Sequence, residues 1–153
     1  MSANELNHPA EQIQLLLKGE MNVVMRMPYS SNATYLVSIS CGERSAQAIY
    51  KPMRGERMLR DFEPGLHRRE VAAYRLSEAL GLDCVPPTVL RDGPSGEGSV
   101  QLLIDANPDE HYYTLFEQRP ELHNQFRAMC VFDIVANNTD RKSGHVLVDN
   151  NAH

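Results

Sequence analysis

Between Met21 and Tyr50 the sequence repeats one pattern three times. The segments MNVVMRM (21–27), TYLVSIS (34–40) and AQAIY (46–50) are β-branched or alternate apolar with polar residues. Turn-rich PYSSNA and CGERS separate them. A period of two, broken by Pro, Ser, Asn and Gly, predicts a meander of three antiparallel strands. Pro52 closes the third, because proline has no N–H to give to a central ladder.

The remaining elements surround this meander. His8 to Gly19 reads as a helix capped by Asn7, with Pro9 in its first turn and Ile13, Leu16 and Leu17 on one face. PMRGERMLRDFEP (52–64) is a polar loop, and a helix follows from Leu66 to Leu80 with Gly81 as its stop. VPPTVL (85–90) and SVQLLID (99–105) read as two more strands joined by RDGPSGEG. ANPDEH is a linker, and Pro120 opens a helix running to Val135. The polar loop NNTDRKSG and a strand HVLV (145–148) come last. The order is α+β rather than a regular βαβ alternation. It divides into an N-terminal helical segment (1–18), a sheet-and-helix lobe (19–106) and a linker, helix and loop (107–153).

Composition narrows the function classes. At 42% hydrophobic and 23% charged residues, the 153-residue chain has the make-up of an ordinary globular protein. A net charge of −5 argues against a broad nucleic-acid surface, which needs clustered excess Lys and Arg. No apolar run approaches the ~20 residues that cross a bilayer, so no transmembrane segment is expected. The start MSANELNHPAEQ lacks the features of a secretory signal. Cys41, Cys84 and Cys130 form no CxxC and read as idle thiols of a cytoplasmic protein. No HExxH pattern suggests a zinc site.

Three groups carry candidate chemistry. Lys51 ends the third strand and shares a face with Ile49. A lysine at a strand end is common on surfaces, and alone it says little. Glu70 falls within the stripe Leu66, Ala73, Leu76 and Leu80, where a carboxylate needs a cationic partner. Lys51 is the nearest preceding lysine, and a strand lysine held by a helix glutamate is a device for presenting an ammonium to phosphate oxygens. Asp140 lies in the polar loop with His145 five residues on. That spacing suits an acid that orients an acceptor hydroxyl, followed by a metal ligand.

Taken together, IYKP (49–52), RREVAAYRLSEALG (68–81) and VFDIVANNTDRKSGHVLV (131–148) resemble the phosphatidylinositol 3-/4-kinase-like branch of the kinase superfamily, including its bacterial members. The NTDR segment is similar to that of type II phosphatidylinositol 4-kinases, and the resemblance covers roughly residues 19–150. It implies a protein-kinase-like N-lobe, an antiparallel sheet plus one helix, followed by the start of a truncated C-lobe. It implies an ATP-dependent phosphotransferase using Mg²⁺ or Mn²⁺. Lys51 would bind the α/β-phosphates, Glu70 would hold Lys51, and Asp140 would be the catalytic acid. Leu103 to Asn107 would be the hinge against adenine, and Asp133 would brace the catalytic loop.

The chain departs from that pattern in three places. PYSSNAT has no glycine for close backbone approach to phosphate, which leaves Ser30, Ser31, Asn32 and Thr34 as side-chain donors. His145 stands where the family has Asn, and imidazole is a weak magnesium ligand. The second metal-binding Asp is absent, since Asp149 falls in the turn DNN. A longer natural version is therefore expected, and the strand at 145–148 is expected to present an open edge that invites self-association. The phosphate acceptor (lipid, protein or small molecule) stays open. The competing readings are a non-catalytic nucleotide- or partner-binding pseudokinase fragment and an unrelated α+β protein.

Overall fold

The three alternating segments do form a meander. Strands β1 (Glu20–Arg26), β2 (Tyr35–Cys41) and β3 (Arg44–Pro52) pair antiparallel in sequence order. The structure, a computed structural model, describes residues 8–28, 30, 32–57 and 63–149. Two further strands, β4 (Thr88–Gly93) and β5 (Gly96–Leu102), form a hairpin whose second strand joins β3, giving the sheet order β1-β2-β3-β5-β4. The prolines at 86 and 87 have no N–H to give to the ladder, so β4 starts at Thr88, later than its apolar pattern suggests, with the Pro87 carbonyl accepting from the Leu102 N–H, and runs on to Gly93. Pro52 is the last paired residue of β3, opposite Gly98, as its missing N–H requires.

The chain divides into two units, Met1–Arg75 with Val85–Leu103, and Leu76–Cys84 with Ile104–His153. In the first, alternation sends Val37, Ile39, Ala48, Tyr50, Val89 and Val100 to one face of the sheet. There they pack with Leu15 and Leu16 of helix α1 (Pro9–Lys18). Leu16, Ile39 and Tyr50 are fully buried, each worth roughly 1.5–3 kcal/mol of transfer free energy. The N-cap of α1 is His8 rather than the expected Asn7, which lies outside the described residues: the His8 imidazole Nδ1 accepts from the Ala10 N–H. At the other end, the Arg91 guanidinium donates to the Leu16 and Gly19 carbonyls at 2.8 and 2.9 Å, satisfying groups the helix cannot pair itself.

Helix α2 (Leu66–Ala79) carries the residues expected to meet the sheet. Its buried positions are His67, Val71, Tyr74 and Ser77, a stripe one residue round from the Leu66, Ala73, Leu76, Leu80 face that hydrophobicity alone suggests. Leu80 is exposed. Gly81, at φ +64°, ends the helix in the left-handed conformation, with Gly81 and Leu82 donating to the Glu78 and Ser77 carbonyls.

The second unit contains helices α3 (Tyr112–Gln118) and α4 (His123–Val135). Leu115, Phe126 and Val146 form its centre, with Tyr112, Leu122, Met129 and Val148 around them. Residues 112–118, to which the sequence pattern assigns no element, are a helix, and the helix expected to open at Pro120 starts at His123 after a single 3-10 turn over Pro120–Leu122. Residues 145–148 form no strand. Ser143–His145 is a 3-10 turn, Val146 is buried in the α3–α4 centre, and Asp149 makes one isolated bridge to Ala106. An open apolar edge for self-association therefore has no strand to carry it at this segment.

Candidate functional site

The register of β3 fixes which side chains share the face opposite the core. Ile49 pairs with Leu36 and Gln101, and Lys51 pairs with Ser99, so these five side chains point the same way. Lys51 is the cation of that half-buried, mixed face. Its ammonium donates to Glu70 Oε1 of α2 at 2.6 Å, with the two side chains 36% and 35% exposed. Glu70 thus has the expected partner, although it flanks the buried stripe of α2 rather than sitting at its centre. A lysine ammonium has three protons, so one carboxylate contact leaves donors for a further anion.

Close approach of β5 places Lys51. A Cβ on Gly98 would stand 2.5 Å from the Lys51 carbonyl oxygen and 2.7 Å from Pro52 Cα. Only hydrogen fits there, which keeps the end of β3 flush against β5.

The β1–β2 loop is held from both sides. Ser30 and Thr34 share a hydroxyl–hydroxyl bond of 2.8 Å, and Thr34 is buried. Asn32 Oδ1 accepts from the Arg57 N–H at 2.9 Å, and the Ala33 N–H donates to the Gly55 carbonyl. The Asn32 carbonyl oxygen is therefore committed within the protein, which leaves its amide N–H₂ as donor. Ser31, the remaining candidate of this loop, lies outside the described residues.

A second set of contacts, which sequence reasoning did not find, joins the 53–57 segment to α2 and β5. The Glu56 carboxylate accepts from the N–H groups of Gly65 and Leu66 at 2.7–3.1 Å and so caps the start of α2. Next on the helix, His67 is almost wholly enclosed, its side chain 2% exposed. Its Nε2 lies 3.1 Å from Glu97 Oε1 on β5, and its Nδ1 faces Glu56 Oε2 at 3.8 Å. Arg68 donates to the same Glu97 oxygen at 3.0 Å. Hydrogen bonds from His67 and Arg68 hold the Glu97 carboxyl below its ordinary range. Counting His67 with Val71, Tyr74 and Ser77 at steps of four, three and three is the signal that would have found this face.

In the second unit, Asp133 of α4 accepts two hydrogen bonds from Arg141, at 2.9 and 2.7 Å, and one from Asn138 Nδ2 at 2.8 Å. The Arg141 contact, aided by Asn138, pulls the Asp133 carboxyl below its usual range against the opposing effect of burial. Arg141 is pushed up in turn, first by its bond to Asp133. The loop between them turns at Asn137, φ +51°, and the Asp140 N–H donates to Asn138 Oδ1. Asp133 therefore has the geometry of a brace for the 137–142 loop. The Asp140 side chain is 78% exposed, with Lys142 Nζ at 3.4 Å. His145 Nδ1 accepts from the Lys142 N–H at 3.4 Å.

Among the described residues no three His, Cys, Asp or Glu side chains come together as ligands. His145 itself offers a ring nitrogen, whereas magnesium prefers oxygen ligands. Among the described residues no helix is long and apolar enough to cross a membrane.

No family model matches the chain. Protein Rv2133c of Mycobacterium tuberculosis is similar to it, 37% identical over 166 aligned positions that cover 87% of the chain. The chain spans about 60% of that relative's length.

Proposed function

We propose that this chain is the nucleotide-binding part of an ATP-dependent phosphotransferase of the phosphatidylinositol 3-/4-kinase-like type, with an N-lobe-like sheet and the first elements of a second lobe. The observation that carries the reading is the Lys51–Glu70 pair: a strand lysine, about a third exposed, oriented by a carboxylate on the neighbouring helix. Lys51 would donate to the phosphates of ATP with Glu70 fixing its direction. Ser30, Thr34 and the Asn32 amide, in a loop already held by Gly55 and Arg57, would offer neutral donors. Leu36, Ile49 and Gln101 on the Lys51 face offer the mixed apolar and polar surface that a nucleotide base needs.

Asp140 would accept the proton of the acceptor hydroxyl, or orient it, during transfer. The Asp133–Arg141–Asn138 brace is suited to holding its loop in one conformation. Mg²⁺ arriving with ATP would be held mainly by the phosphates and water, and would neutralise phosphate charge during transfer.

The test is phosphate transfer from γ-labelled ATP with the purified chain, beside Asp140→Asn. Asp140-dependent transfer supports the enzyme. Tight nucleotide binding without transfer favours the second reading, a non-catalytic nucleotide-binding module. That reading draws on the engagement of the His145 Nδ1 by the Lys142 N–H, which occupies the position expected of a metal ligand.

A further inference from the structure

The pairing register lays out the face of Lys51 as neighbouring rows of side chains. Met25, Leu36, Ile49, Gln101 and Thr88 are successive partners across β1, β2, β3, β5 and β4, so one row crosses the whole sheet. The next row holds Lys51, Ser99 and Leu90. Ile49 and Lys51 are two residues apart on one strand, which sets the rows roughly 7 Å from each other. With phosphates at Lys51, a nucleotide base falls on the row of Leu36, Ile49 and Gln101.

Of those side chains only Gln101 can read a base edge, and Thr88 fixes which way its amide faces. The buried Thr88 hydroxyl donates its proton to the Pro86 carbonyl at 2.8 Å. A hydroxyl has one proton, so toward Gln101 it can only accept. It does so from Gln101 Nε2 at 2.9 Å. Turning the amide over would break this bond and set Oε1 against the Thr88 oxygen, lone pair to lone pair. Oε1 is therefore held away from Thr88, and it accepts no hydrogen bond among the described residues.

A fixed acceptor distinguishes bases. An exocyclic amino group has protons to give it, whereas an oxo group in the same place brings lone pairs against it. Ile49 and Leu36 cannot make that distinction, because an apolar wall tolerates both groups. A glutamine amide reads adenine in nucleic acids by the same complementarity, with its oxygen accepting from the 6-amino group.

We propose that Gln101 is a specificity-determining residue: its Oε1, aimed by Thr88, accepts from the 6-amino group of a purine nucleotide and rejects a 6-oxo purine. The proposal rests on the reading of Lys51 as a phosphate-binding residue. The phosphates carry most of the affinity, and the amide carries the choice of base. Thr88 acts through Gln101, as a positioning residue.

The experiment titrates the chain by calorimetry with triphosphates that differ at the purine 6-position. ATP carries an amino group there, purine riboside triphosphate a hydrogen, and inosine triphosphate an oxygen. ATP binds tightest. The unsubstituted purine is weaker by about three- to tenfold and inosine triphosphate by about tenfold or more, because an acceptor facing an acceptor is worse than an empty edge. Gln101→Leu removes the acceptor, and the ligands then bind within about twofold of one another. Thr88→Val keeps the shape without the hydroxyl, frees the amide to turn, and brings inosine triphosphate within about threefold of ATP. Thr88→Ser, which keeps the hydroxyl, retains the wild-type order, a rescue that lost packing alone would not give. In the Gln101→Leu background, Thr88→Val changes the ratio no further. Should these variants fail to fold, the order of ligands on the wild type still decides, since a freely turning amide takes inosine triphosphate as well as ATP. Equal binding of all the ligands by the wild type, or an ATP preference that survives in Gln101→Leu, leaves the phosphate reading standing and overturns this proposal. Binding of none overturns the phosphate reading, and this proposal with it.

Discussion

If Glu70 acts only through Lys51, removing it should cost nothing once Lys51 is gone. The perturbation is a double-mutant cycle of Lys51→Met and Glu70→Gln. A lysine donating to a phosphate oxygen makes a charge-assisted hydrogen bond, worth about 1.5–3 kcal/mol, so Lys51→Met should weaken ATP binding by about 10- to 150-fold. The Lys51–Glu70 pair is 2.6 Å long with about a third of each side chain exposed. It therefore lies at the upper end of the ~0.2–1 kcal/mol of a surface pair and well below the ~3–5 kcal/mol lost when a buried pair is broken. A value near 1 kcal/mol caps what orientation by Glu70 contributes to binding, or about three- to tenfold in Kd. In the Lys51→Met background, Glu70→Gln should then change ATP affinity by less than about twofold, so the coupling equals the whole single-mutant effect. Calorimetric titration of the four proteins reads these values, and circular dichroism controls for folding. Equal costs of Glu70→Gln with and without Lys51, or unchanged binding in Lys51→Met, would refute the assignment.

Gly98→Ala should destabilise the sheet by about 1–3 kcal/mol in a urea melt, because its Cβ would run into the Lys51 carbonyl and Pro52 Cα, and it should weaken ATP binding by displacing Lys51. Asp133→Asn should cost about 1–3 kcal/mol, since it leaves the Arg141 guanidinium without its carboxylate, with the loss seen in exchange of the 137–142 amides. The sign with pH follows from the depressed Asp133 carboxyl: its stabilisation is present above the unfolded value of about 3.9 and is lost as pH falls through the lower folded value, so wild type and Asp133→Asn should converge in stability under acid. Asp140→Asn should leave ATP affinity within about twofold, because an acid acting on the acceptor hydroxyl contributes in the transition state rather than to nucleotide binding. A large loss of binding in that variant would contradict its assigned role.

Most of the sheet was legible because period-two alternation is imposed by the pleat, as at Val37/Ile39 and Ala48/Tyr50, and Pro52 marks its own limit. Lys51 and Glu70 could be paired from sequence because a half-buried carboxylate requires a cation. The exact face of α2 could not. His67 and Ser77 are polar residues buried because partners arrive from elsewhere: Glu97 and Glu56 for the ring, and the Cys84 N–H for the Ser77 hydroxyl. Helix α3 was hidden by its composition. Tyr112, Tyr113, Thr114 and Phe116 are poor helix formers, and the helix forms because Leu115, 1% exposed, is buried with Phe126 and Val146. The same packing explains HVLV. Val146 and Val148 alternate as in a strand, but what they find is an aromatic centre rather than a ladder partner. The candidate loop residues 30–34 were legible as polar donors, yet nothing local shows that Asn32 and Ala33 are tied to the 53–57 strap.

The most direct measurement of the central claim is labelling by an acyl-phosphate derivative of ATP, which transfers its acyl group to a lysine lying against the nucleotide's phosphates. The chain has lysines only at 18, 51 and 142, so peptide mapping by mass spectrometry reads the answer without ambiguity. The account predicts acylation concentrated at Lys51, suppressed by excess ATP but not by adenosine, and reduced in Glu70→Gln. Acylation spread evenly over Lys18, Lys51 and Lys142, or unaffected by ATP, would contradict it.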